Sequence, residues 1–293
     1  MLAAVWGASY LFIKVAVEGG LEPAPFMAAR AGIAFVLLYA FVAWTLGAGR
    51  SVAELRESWR QWTLIGVVGN AVPFWLVAWG ETHVDSGIAA IAQSTVPIFT
   101  ILLGLRFLPA EPLGATRWGG IAIGLVGVGV LAGAGPDRGW WAVAGTLAVV
   151  LSSLAYASGN VIGQRSVSDT AGPVLATGAM LSAFVTLLPF GLLQFPRSTP
   201  DADAIASLLA LALLGTVLAQ LVLYRMLRLF GGRRSSLVTY LMPGFAIVYG
   251  ALLLDESITL SSLAGLALIL AGVALGSGAI EQRRRQTSEA SAR

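Results

Sequence analysis

Lys14 and Arg30 are the two basic side chains that fall inside long apolar stretches of this 293-residue chain. Either cation can attract a carboxylate, since charge placed in such surroundings has to face protein or water. The competing reading pairs Lys14 with Glu18, one helical turn away, and turns Arg30 onto backbone carbonyls. Aromatic and amide side chains recur along the same stretches. Trp6, Tyr10, Asn70, Phe74, Trp79 and Gln93 lie in the first half, and Tyr156, Asn160, Gln220, Tyr224 and Tyr240 in the second. Aromatic walls with a few amides suit a small zwitterion with an apolar side chain; each residue taken alone serves equally for interhelical packing and hydrogen bonding. His83 is the single histidine, a residue type suited to proton transfer near neutral pH, and is a candidate for contact with a small molecule. Any proton coupling falls to His83 or to the loop acids Glu81 and Asp85, because no Asp or Glu stands in the middle of an apolar stretch. Cation–proton exchange through a shared mid-span carboxylate is therefore disfavoured. With no cysteine and one histidine, the chain offers neither a nucleophile–base set nor a metal-ligand cluster, so no catalytic residue, metal or cofactor is assigned. Gly127-Val-Gly129 is not a nucleotide loop, lacking a strand before it and a Lys-Ser/Thr after it.

The elements that carry these residues follow from composition. Hydrophobic residues make up 57% of the chain and charged ones 11%, with mean hydropathy +0.82. Soluble domains carry about 25% charged residues, so this chain cannot cover a water-facing surface and is an integral membrane protein. Charge-free windows of 19 to 27 residues run 31–49, 61–80, 86–105, 118–136, 139–164, 170–196, 204–224, 235–254 and 257–280, with a tenth over residues 1–18 interrupted by Lys14. A bilayer core of ~30 Å takes about 20 helical residues, which predicts ten transmembrane helices, all-α. Segments such as 120–131 lack the alternation of a membrane barrel strand. Fourteen of the eighteen Lys and Arg fall on one side if both termini are cytoplasmic, counting a basic tail over 281–293; the positive-inside rule sets that orientation. The pI near 9.6 reflects this topology and not a nucleic-acid partner.

The chain also repeats itself. A shift of 150 places Trp6 over Tyr156; a shift of 146 places Pro97 over Pro243 and Phe74 over Gln220; a shift of 145 places Glu111 over Glu256 and Gly127 over Gly272. Residues 1–135 and 136–280 thus read as two five-helix units, and an odd helix count inverts the second. Inverted repeats build secondary transporters with a midplane site between the halves. The bland alternative is a duplicated scaffold or a membrane-embedded enzyme. Pro97 and Pro243 each release a carbonyl one turn earlier, so paired kinks that bend during gating are expected. Gly120, Gly124, Gly272 and Gly276 form small-residue faces for close helix packing or a dimer contact.

The ordered set of motifs resembles the EamA branch of the drug/metabolite transporter superfamily. Trp6-Gly7-Ala8-Ser9-Tyr10 through Lys14 is similar to that family's first helix, and Ala28-Ala29-Arg30-Ala31-Gly32 to its second. Pro97 followed by Glu111, and Asp255-Glu256 followed by the Gly265–Gly272 helix, resemble its repeat ends. Two departures stand out: Pro112 follows Glu111, and the second repeat has Gln164 and Met180 where the first has Lys14 and Arg30. The resemblance implies a 5+5 inverted-repeat exporter of small metabolites, frequently amino acids, in the bacterial inner membrane, most similar to YddG-type exporters of aromatic amino acids. It implies alternating access, a small-molecule cargo and a lipid surround, no enzyme activity, and a monomer with a dimer as the alternative. Drugs, nucleotide-sugars and sugar-phosphates are the competing cargoes.

Overall fold

The computed structural model describes residues 1–107, 114–132, 139–166, 171–194, 199–223, 225–226, 229 and 237–276. Glu111, Tyr224, the side chains of Gln164, Thr239 and Tyr240, and the tail 281–293 lie outside the described residues. The described chain is helical, without a strand. Helix α1 is Leu2–Glu18, α2 Pro23–Leu46 and α3 Ala48–Glu57. Helix α4 runs Trp59–Glu81, then α5 Ser86–Gln93, α6 Val96–Phe107 and α7 Ala115–Ala132. The second half holds α8 Gly139–Ser166, α9 Gly172–Leu193, α10 Ala202–Leu223, α11 Leu237–Leu253 and α12 Leu260–Gly276. By length and composition six described helices can cross a membrane: α2, α4, the α5–α6 run, the Gly139–Gly163 part of α8, α9 and α10. Ala115–Leu131, Leu241–Leu253 and Leu260–Gly276 are shorter apolar helices.

Polarity runs opposite to that of a water-soluble fold. Leu193, Trp44 and Leu252 stand outside at 84, 83 and 74% exposure, whereas Thr95, Ser152, Ser153 and Glu81 are wholly buried. Hydrocarbon solvates the outer leucines, and polar groups must find partners within. Helix α3 is the exception, polar along its length with an Arg50–Glu54 pair at 2.9 Å. Gly47, at φ +84°, turns the chain from α2 into it.

The halves interleave. Helix α1 packs on α11, and α8, one repeat later, packs on α5 and α6; α4 packs on α8, and α10 on α1; α2 meets α9, and α7 meets α12. Exchanging the halves maps this contact pattern onto itself. Glycines permit the tightest crossings. A Cβ on Gly69 would lie 2.9 Å from the Gly159 Cα, and one on Gly272 would lie 2.6 Å from the Gly120 carbonyl oxygen. The small-residue faces expected on α7 and α12 thus pack against each other.

A second correspondence lies inside α4 and α10. Each widens into a π-helical stretch, over Val67–Ala71 and Leu211–Leu218. Asn70 Nδ2 donates to the Ile65 carbonyl at 3.1 Å, and Thr216 Oγ1 donates to the Leu211 carbonyl at 3.1 Å. Both bonds reach back five residues, and the two residues are 146 apart, the offset that aligns Pro97 with Pro243. The prolines themselves do not behave alike. The first-half run breaks at Ser94–Thr95, so Pro97 starts α6, whereas Pro243 sits inside continuous α11.

Candidate functional site

Five helices bring their polar and aromatic groups together around Arg30. Helix α2 places this side chain inward at 7% exposure, beside Tyr10 of α1 and Phe74 of α4, which are 6% and 4% exposed. The guanidinium carbon lies 3.9 Å from the Phe74 ring centroid, a cation–π contact. Arg30 Nε donates to Thr216 Oγ1 at 2.9 Å, and Nη1 approaches Met27 Sδ at 3.6 Å. Because the Thr216 hydroxyl proton goes to Leu211, its oxygen is available to accept from Arg30. Tyr156 of α8 completes the wall, its ring 6.5 Å from Phe74, and Tyr10 and Tyr156 both lie within electrostatic reach of the guanidinium. The backbone carbonyls expected to hold Arg30 are replaced by a hydroxyl, a thioether and a ring. Among the described residues no carboxylate lies within 4 Å of Arg30. A guanidinium has five donors and always carries its charge. The site is therefore a buried cation in an aromatic enclosure, short of an anion.

Lys14 is otherwise engaged. Its Nζ donates to the carbonyls of Glu81 and Val84 at 3.0 Å each and pairs with Glu18 Oε1 at 3.1 Å. Three protons thus meet three acceptors, strapping α1 to the turn after α4. Lys14 and Glu18 line a cavity of about 340 Å³ with Asp85, Leu254, Asp255, Glu256 and Ser257. Above it, Glu256 caps α5: Oε1 accepts from Ser86 N at 2.6 Å, and Oε2 from Ser86 Oγ and Gly87 N at 3.0 Å each. A carboxylate at a helix N-terminus satisfies donors that have no helical partner. Here the second half supplies the cap to a first-half helix.

The remaining sequence candidates separate. His83 packs between Trp79 and Trp141, with ring centroids 4.5 and 5.3 Å away, and its Nδ1 faces the Thr82 hydroxyl and the Trp79 carbonyl. That is an aromatic stack at the helix end, apart from the contacts around Arg30. Gln93 Oε1 accepts from Ser152 Oγ at 2.8 Å, while its Nε2 is buried without a described partner. Asn70 bonds its own helix, and Asn160 is exposed. Trp6 is half-buried one turn before Tyr10, and Gln220 half-buried one turn after Thr216; residues four apart share a helix face.

Sequence reasoning missed Thr216 and misplaced Glu81. Thr216 had a usable signal, since Asn70 plus 146 falls on it. Glu81 had been grouped with loop acids, yet it is the last residue of α4 and wholly buried. No set of three or more His, Cys, Asp or Glu suited to a metal occurs among the described residues.

The model of the EamA-like transporter family matches the chain twice, over residues 1–133 and 143–277. The uncharacterized inner membrane transporter YedA of Escherichia coli is 30% identical over 273 residues, covering 90% of this chain and 83% of its own. A probable amino-acid metabolite efflux pump of Salmonella typhimurium is 26% identical, with coverage of 93% and 91%. An uncharacterized transporter of Archaeoglobus fulgidus is also 26% identical, covering 92% of this chain. A crystal structure at 19% identity superposes with a TM-score of 0.62 over 94% of this chain and 96% of that one, a shared fold.

Proposed function

The chain belongs to the EamA-like transporter family, and from that premise we propose that it exports amino acids, aromatic ones included, across the bacterial inner membrane by alternating access. The reading takes ten helices as two inverted five-helix repeats, with both termini cytoplasmic and the cargo held where the halves meet. The exchange-symmetric helix contacts and the matched π-helical stretches support that arrangement. YddG-type exporters of aromatic amino acids remain the narrower comparison.

One observation carries the cargo class: Arg30, buried, charged and without a carboxylate partner among the described residues, walled by Tyr10, Phe74 and Tyr156. An amino-acid carboxylate supplies the missing anion, and the rings accept an apolar side chain. The contact from Arg30 to Thr216 joins α2 to α10, so cargo at this point touches both halves. Lys14 is a support for the outer end in this conformation, not the cargo's cation, because its three protons are taken.

Reconstitution of the purified chain in liposomes tests this. Labelled phenylalanine, tryptophan, leucine and threonine are expected to show saturable, mutually competable flux. Glucose 6-phosphate and UDP-glucose are the competing classes, and flux of these without flux of any amino acid would sink the reading.

A further inference from the structure

We propose that Glu81 is the proton-binding residue of this transporter, and that its proton is exchanged for the ammonium of a zwitterionic cargo. The inference rests on the transport reading above. It adds a second binding group and an energy source.

Arg30 and Glu81 are the only buried Asp, Glu, Lys, Arg or His side chains among the described residues. One is a cation without a counterion. The other is a carboxyl with 0% exposure, and neither of its oxygens has a hydrogen-bond donor among the described residues. The nearest cation does not serve it, because Lys14 spends its protons on the Glu81 and Val84 carbonyls and on Glu18. The ionisable groups facing the carboxyl are Lys14, Glu18 and Tyr10 from α1 and Glu256 from the turn before α12. His83 and Asp85 follow on the same turn, with His83 held between two tryptophans. Glu256 is committed to Ser86 and Gly87.

Of the three neighbouring charges, Glu18 and Glu256 oppose a further negative charge, and Lys14, which favours one, pairs with Glu18 and donates to neither carboxyl oxygen of Glu81. An anion stripped of water and donors is costly, whereas a neutral carboxylic acid is not. In the arrangement observed, the acid is the form that the surroundings tolerate. Lys14, one turn beyond Tyr10 on α1, donates to the Glu81 carbonyl at 3.0 Å, so α1 runs from the aromatic enclosure to the helix end that carries the acid. A zwitterion has a matching end for each: its carboxylate for Arg30, its ammonium for Glu81.

The exchange balances simply. In the outward-open state a proton from outside water binds the Glu81 carboxylate; the cavity of about 340 Å³ reaches Lys14, whose Nζ donates to the Glu81 carbonyl. In the inward-open state the cargo's ammonium replaces that proton, which leaves to cytoplasmic water. Proton and cargo exclude each other, one entering for each cargo molecule exported.

The test uses the full chain in liposomes and the amino acid with the highest flux in the panel above. With one proton per cargo, a gradient of one pH unit sustains about tenfold accumulation, whereas Glu81→Gln is expected to show none. Adding the same amino acid to lightly buffered, detergent-solubilised wild type is expected to release about one proton per cargo bound, and Glu81→Gln to release none. Saturable counterflow in the wild type without gradient-driven accumulation would overturn the proposal and leave the transport reading standing. Retention of accumulation by Glu81→Gln would overturn it too. Absence of flux for every amino acid would instead sink the transport reading itself. If Glu81→Gln lacks a melting transition, wild-type proton release decides: about one proton supports the proposal, and none overturns it.

Discussion

The two halves of this chain agree in their scaffold and differ in their charge. Asn70 and Thr216 make the same bond within the same π-helical widening, 146 residues apart. Yet Arg30 has Met180 as its counterpart, fully buried and apolar, and Lys14 has Gln164. Glu81 falls opposite Leu227 at the offset of 146 that pairs Asn70 with Thr216. The halves share what sets helix spacing, where a change on either side of a matched contact would disturb both. They do not share the ionisable groups, and an uncompensated charge in lipid is costly. Thr216 is where the copies cooperate: its hydroxyl serves its own helix, as Asn70 does, and also holds the other half's arginine.

Six substitutions break or sharpen this contrast. The largest effect belongs to the shared scaffold. Gly272→Leu forces a side chain into the backbone of α7 and is expected to lower stability by about 3 kcal/mol or more, read as a lost melting transition in detergent. A variant that melts like the wild type would mean that the α7–α12 seam is loose. Next comes the pair Arg30→Ala and Met180→Ala. Truncating the buried cation is expected to cost ~2–5 kcal/mol of cargo binding, about thirtyfold or more in half-saturating concentration, whereas Met180→Ala costs a similar amount of stability. Equal effects of both on cargo affinity would erase the division of labour.

A smaller effect is expected for Thr216→Val, which leaves Arg30 Nε without its acceptor. That costs ~1–3 kcal/mol and raises the half-saturating concentration about tenfold, while Asn70→Ala, its counterpart, acts mainly on the melting temperature. The smallest belongs to His83→Phe. A ring kept between Trp79 and Trp141 holds stability within about 0.5 kcal/mol, and the pH profile of flux stays as in the wild type. A flattened profile would return the histidine to proton coupling.

The break at Ser94–Thr95 adds a contrast in shape. Paired prolines predicted paired kinks, but α6 starts afresh at Val96 while α11 runs through Pro243. Proline removes one donor and crowds one carbonyl; whether the helix then breaks depends on what catches the freed groups. In the first half Ser94 N and Thr95 N bond three residues back, to Ile91 and Ala92, and Thr95 Oγ1 also donates to Ala92. Such local bonds depend on how tightly neighbours enclose the turn, which a proline in the sequence does not encode.

Scarcity of charge and its spacing were enough to establish the membrane as solvent and the helical class, because each buried ion in hydrocarbon is costly and each span needs a minimum length. Self-similarity at 145 to 150 residues pointed to two like halves, and the family model matches over residues 1–133 and 143–277. The residues around Arg30 were largely legible too, since aromatics and amides on one helix face stand out in an apolar chain. Partner choice belonged to the tertiary structure. Lys14 spends its donors on carbonyls 67 and 70 residues away, and Arg30 reaches a hydroxyl 186 residues on. Glu81 looked like a loop acid because it ends a charge-free window. It is buried because α1 and the turn before α12 close over that helix end, an arrangement that only the interleaving of the two halves creates.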